Sequence, residues 1–335
     1  MSKPSGEEPG TPVPDLPFGA VMATGAASQL AASAGVGAVR VPLLWTAIVV
    51  ALAAVASPGR RRKRVAATAR LGDFTVPIGL AVIGSGLVRL GGPALVTGAA
   101  EAVVAGAWLT TGVLLATVVA PLLASPPGLR SLGGVSFLVP AALLADAVAA
   151  SALVRLSGGV RLLRWLALAA AGLGVIGYLV VAGLAGTRLV AHRVDGVPRA
   201  PWWIAAGCGG LSAAALGRVG ALHPAGGGEE ALRILGWVAL GLLSIGTVAL
   251  IAVLTGSVRF VLRIRHLEGR PPWPPTFSTG VYALGASQVG RLLNEPVISR
   301  LADAAAVATI CLWVITVLAH LPALARLRLR PRRAR

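Results

Sequence analysis

Acidic residues and cysteines are scarce in this chain, and each shortage removes a class of protein. Only 12 of 335 residues are Asp or Glu, and 13% are charged in all, too few to cover the surface of a water-soluble chain of this length. The two cysteines, Cys208 and Cys311, are too few for a disulfide framework and lack metal-ligand spacing; both fall inside apolar runs, where they are expected to act as small buried hydrophobes. His192, His223, His266 and His320 are scattered over loops and helix ends with no partner at metal-binding spacing. Glycines are plentiful but sit inside apolar stretches, and no GxxxxGKS/T motif follows them. These absences argue against an enzyme, against a resident metal or cofactor, and against transport powered by ATP on this chain.

What remains is apolar. The chain is 56% hydrophobic with a mean hydropathy of +0.81. Runs of about 17 or more apolar residues recur along it, each long enough to cross a hydrocarbon core as a helix. The two-residue alternation of a membrane β-barrel is missing. The expected fold is all-α and integral to the membrane, with ten spans near residues 17–39, 41–57, 73–91, 94–121, 132–154, 162–187, 201–221, 233–258, 275–292 and 299–323. Residues 1–16, polar and rich in Pro and Gly, read as a disordered tail, 17–323 as the membrane domain, and 324–335 as a basic tail. The first apolar run has no charged segment leading into it, so no cleavable signal peptide is expected.

The formal charge of +18 raises nucleic acid as a partner, but the basic residues flank apolar runs instead of sharing a face, which is a topology signal. Of the 30 Lys and Arg residues, 21 fall on the side that holds both termini and 9 on the other. The runs Arg60 to Arg64 and Arg326 to Arg335 dominate the count. Both termini are therefore expected in the cytoplasm of a multi-pass plasma-membrane protein, with the basic runs touching anionic lipid.

Odd and even spans differ in kind. Span 1 carries Thr24, Gly25, Ser28, Gln29 and Ser33; span 3 carries Pro77, Gly79, Gly84, Ser85 and Gly86. Spans 5, 7 and 9 carry Ser136, Pro140, Asp146 and Ser151; Gly207, Gly209, Gly210 and Ser212; and Thr276, Ser278, Thr279, Gly280 and Gln288. Even spans are mostly Ala, Val, Leu, Ile and Trp, span 4 with Glu101, Thr110 and Thr111 being the exception. Small and polar residues belong against protein or water, and large apolar ones against lipid. The expectation is five tandem hairpins, each an inner polar helix followed by an outer apolar one. Pro77 and Pro140 are expected to kink inner helices and free backbone groups.

An arginine recurs at the extracytoplasmic end of each odd span: Arg40, Arg89, Arg155, Arg218 and Arg291. Around a common axis they form an outer basic ring that concentrates anions; the alternative is interfacial snorkelling at helix ends. Asp146 and Glu101 are the acids deepest in the membrane, either as proton-coupling carboxylates or as packing residues between helices.

Two segments carry a resemblance. Phe18-Gly19-Ala20-Val21-Met22-Ala23-Thr24-Gly25 in span 1, and Trp273-Pro274-Pro275-Thr276-Phe277-Ser278-Thr279-Gly280-Val281-Tyr282-Ala283-Leu284 in span 9, resemble motifs of the tellurite-resistance/C4-dicarboxylate transporter family, which is related to the slow-type anion channels of plants. Pro201-Trp202-Trp203 and Arg70-Leu71-Gly72-Asp73-Phe74-Thr75 sit where relatives have similar residues. The resemblance implies five helical hairpins around a central pore, often as a trimer, that passes small anions: sulfite, tellurite-type oxyanions, halide, nitrate or dicarboxylates. It implies Phe277 as the gating aromatic, with Tyr282 as the substitute if the register differs by a turn. Thr24, Ser28, Pro77, Ser85, Pro140, Asp146, Ser212, Thr276 and Thr279 are the expected pore-lining residues. The rivals are a proton-coupled exporter built on a ten-helix inverted repeat, and a membrane-embedded lipid-linked transferase. The first requires similarity between spans 1–5 and 6–10 and the second an interfacial acidic or His cluster, and neither is found.

Overall fold

A computed structural model describes residues 17–31, 37–56, 71–124, 134–157, 160–191, 202–222, 228–263 and 273–328. The tail expected at 1–16 and the basic run Arg60 to Arg64 lie outside them, as does 329–335 of the tail expected at 324–335, whose first five residues instead continue the last helix. Ten helical segments follow one another: α1 (Pro17–Ala31), α2 (Gly37–Ala56), α3 (Thr75–Leu90), α4 (Ala94–Leu123), α5 (Leu138–Leu156), α6 (Arg161–Ala191), α7 (Trp203–Gly220), α8 (Glu229–Arg263), α9 (Trp273–Leu293) and α10 (Pro296–Arg328). Seven of the described helices are long and apolar enough to cross a membrane. The other three are α1, which has only 15 residues, and α7 and α9, where Gly, Ser, Thr and an Arg dilute the apolar content.

Burial divides the helices into two layers. The apolar windows of α2, α4, α6, α8 and α10 are only 22–28% buried, whereas those of α3 and α5, each taken with the 3-10 turn that leads into it, are 72% and 83% buried. Exposed Val, Leu, Ile and Trp side chains crowd the first group, a surface suited to hydrocarbon and not to water. The odd helices pack on one another in a closed circuit, α1 on α3, α3 on α5, α5 on α7, α7 on α9, and α9 back on α1. Each even helix packs on the odd helix before it and also touches the next odd one, α10 reaching α1. α4, the poorest match to an outer helix in composition, is an outer helix here, with Glu101 exposed and Thr111 buried.

Small residues let the inner helices approach. A Cβ on Gly209 would stand 2.6 Å from the Cα of Gly246 in α8, and one on Gly285 would meet the Gly210 backbone. Side-chain bonds join α1 to α10, where Trp313 Nε1 donates to Thr24 Oγ1 over 3.0 Å.

Three expectations change. Pro77 and Pro140 do not kink helix interiors. Each is the third residue of its helix, after a four-residue 3-10 turn (Leu71–Phe74, Gly134–Phe137), where the missing N–H is one the helix could not bond anyway. Pro274 and Pro275 occupy the first turn of α9 in the same way. The first span is also shorter than expected: α1 ends at Ala31, and Arg40 lies in α2. Cys208 is buried as expected, its Sγ donating to the Phe137 carbonyl, but Cys311 is exposed on α10.

Candidate functional site

The axis of the odd helices holds a small cavity, and every one of them lines it. α1 contributes Ala26 and Gln29, α3 Ala81, Val82 and Ser85, α5 Ala145 and Val148, α7 Leu211, and α9 Val281 and Leu284. Residues three or four apart share a helix face, so each set is one inward stripe. The volume is about 20 Å³, where roughly 10–15 Å³ suffices for one water. No charged group lines it, and its polar side chains are Gln29 and Ser85.

These two are bonded to each other. Gln29 Nε2 donates to Ser85 Oγ over 2.8 Å and to the Val82 carbonyl over 3.3 Å, while Ser85 Oγ donates to Val82 O over 3.0 Å. Gln29 is 4% exposed, and its Oε1 finds no hydrogen-bond partner. A buried amide oxygen left so costs about 1–3 kcal/mol; the Ser212 hydroxyl and both Asp146 carboxylate oxygens are buried without a partner as well.

One turn toward the helix N-termini, four residues back on each stripe, stand Met22, Ile78, Ala141, Gly207 and Phe277. Met22, Ile78, Ala141 and Phe277 are buried together in one apolar cluster. Phe277, 2% exposed, stands four residues before Val281 on the cavity stripe of α9. Ala141 on α5 and Gly207 on α7 hold the corresponding positions of their stripes, and the α-carbon side of Gly207 faces Ser278, the residue after Phe277. Tyr282 turns the other way, its hydroxyl 2.7 Å from Thr247 Oγ1 on α8.

The remaining expected pore residues point elsewhere. Among them Ser85 alone reaches the cavity. Thr24 accepts from Trp313 of α10, Ser28 Oγ donates to the Arg40 carbonyl over 2.9 Å, and Thr276 Oγ1 lies 3.3 Å from Thr316 Oγ1 of α10. Thr279 donates to Pro275 O of its own helix over 2.9 Å. Ser212 is fully buried with no bond to its hydroxyl, and Pro77 and Pro140 are buried at helix starts. Asp146, also fully buried, stands beside Thr111 of α4 without closing a hydrogen bond of good geometry to it. The arginines expected as a ring stand at helix ends. Arg89, Arg155, Arg218 and Arg291 occupy the last turns of α3, α5, α7 and α9, and Arg218 and Arg291 are close enough to repel. Arg40 reaches the same end from the first turns of α2. Gln29 was the residue missed as a site, although a primary amide deep in an apolar span is a signal in itself.

Residues 17–321 match the voltage-dependent anion channel family, SLAC1. The chain belongs to this family. The family comprises anion channels and transporters of the membrane, not enzymes, and the multi-pass architecture described above accords with it. No individual curated protein matches the chain.

Proposed function

We propose that the protein is a channel for small inorganic anions whose path runs along the axis of the odd helices, with Phe277 as its plug. In this reading all ten helices cross the plasma membrane as five tandem hairpins spanning 17–323, with both termini cytoplasmic and a homotrimer as the assembly the resemblance implies. The observation that carries it is the cavity lined by all five inner helices, with the buried Phe277 one turn before Val281 on the α9 stripe. A bulky apolar ring in a narrow tube excludes water and ions without any charge. The arginines at the far ends of α3, α5, α7 and α9, with Arg40, would raise the local anion concentration.

Cavity size favours the compact end of the substrate range. A space of about 20 Å³ admits a halide or nitrate with modest widening, whereas a C4-dicarboxylate requires several times more room. Asp146 is outside the cavity lining, so proton coupling through it would act across the α5–α4 contact. Reconstituted liposomes loaded with chloride, sulfite or malate, with and without a pH gradient, test the proposal. Chloride efflux independent of the gradient supports it, and malate movement that follows the gradient overturns it.

A further inference from the structure

We propose that Gln29 and Ser85 form the anion-contact site of the pathway, a polar station at which a permeating halide or nitrate ion exchanges part of its hydration shell for an amide N–H and a hydroxyl. The inference rests on the axial pathway proposed above and names the group that recognises the ion within it.

Three observations converge on this pair. They are the polar side chains among the residues that line the axial cavity. They are bonded across the α1–α3 contact, so neither is there by the local habit of a single helix. The Gln29 amide lines a cavity with room for about one water and has one bonded end and one buried, unbonded end, so its bonding capacity is not spent on packing.

The bonding pattern supplies a two-state device. In this structure the Gln29 NH₂ is turned toward Ser85 and the Val82 carbonyl, and its oxygen is buried without a hydrogen-bond partner. An anion has no use for that oxygen. Half a turn of the amide exchanges the ends: Ser85 Oγ–H then donates to Oε1, and both N–H donors are presented to the cavity. The pair would thus keep its N–H groups turned into the α1–α3 contact when the pore is shut and offer them to an anion when it conducts. No fixed cation lines the cavity, so the ion is held weakly enough to leave.

The test uses the full chain in liposomes, with chloride and nitrate as probes and efflux recorded for the parent and for Phe277→Ala. Gln29→Leu and Ser85→Ala are made in both backgrounds. Removing the N–H donors should lower chloride flux about tenfold and raise the nitrate-to-chloride ratio, because chloride loses more hydration on entry than nitrate does. Ser85→Ala should shift the ratio the same way by a smaller factor. The ratio does not depend on how many molecules fold, so a poorly folding variant still reports. Ser151→Ala, whose hydroxyl bonds only its own helix at Ala147 O, serves as the control. If chloride passes but both variants keep the parental ratio within about twofold, this inference falls and the axial pathway stands. If no anion passes in either background, both fall together.

Discussion

The Tyr282 hydroxyl lies 2.7 Å from Thr247 Oγ1, which ties that ring to α8 and leaves Phe277 as the aromatic on the cavity stripe of α9. The two aromatics are five residues apart, or about 140° around a helix, so they cannot both face the axis. Phe277→Ala should therefore raise basal anion efflux from liposomes by about tenfold or more, by removing a dewetted constriction. Tyr282→Ala should leave efflux near the parental level. Efflux raised by the tyrosine change but not by the phenylalanine change would move the plug one turn along the helix.

The bond from Trp313 to Thr24 closes the circuit between the last helix and the first. Interhelical hydrogen bonds in membrane proteins contribute about 0.6 kcal/mol on average and up to about 1.7 kcal/mol. Trp313→Phe and Thr24→Val should each lower stability by an amount in that range in detergent unfolding experiments. The double variant should cost less than their sum, because they share one bond.

Glycines divide into those that need their missing side chain and those that do not. Gly209→Val would drive a Cβ to within 2.6 Å of the Gly246 Cα, with backbone on both sides and no flexible side chain to yield. It should lower stability by about 1–3 kcal/mol, as overpacking does, or prevent recovery of folded protein. A Cβ on Gly98 in α4 meets nothing within 4 Å, so Gly98→Ala should be neutral or gain up to about 1 kcal/mol from helix propensity. Thermal unfolding of the two purified variants separates the cases.

At the opposite end, Arg89, Arg155 and Arg218 close the last turns of three inner helices. Replacing all three by Gln should lower anion flux severalfold at low ionic strength, and by less at high salt, where the Debye length falls from about 30 Å at 0.01 M to about 3 Å at 1 M. Unchanged flux at low salt would assign them to snorkelling at the interface.

The division into inner and outer helices was legible in the sequence because lipid and protein make opposite demands on side chains. Gly207, Gly209 and Gly210 on one span, and Leu, Val and Trp on the next, record those demands residue by residue. Helix ends were less legible: Ala31 and Gly37 lie within one apolar stretch, so Arg40 was assigned to the wrong helix, and Pro77 was read as a kink because composition does not say how far it stands from a helix start. The direction of each polar side chain was not legible at all. Thr24 and Gln29 are five residues apart on α1, so one reaches Trp313 while the other reaches the cavity. Which of the two faces the axis depends on the rotation of α1, and that is set by its contacts with α3, α9 and α10.

The central claim is that anions pass along the axis of the inner helices and are stopped at Phe277. Chloride efflux from liposomes holding the parent protein, Phe277→Ala or no protein tests it most directly. The account predicts low efflux for the parent, efflux about tenfold or more higher for the variant, and no accompanying sodium movement. Efflux from Phe277→Ala vesicles equal to that from empty ones, with the variant shown to be folded and inserted, would contradict it.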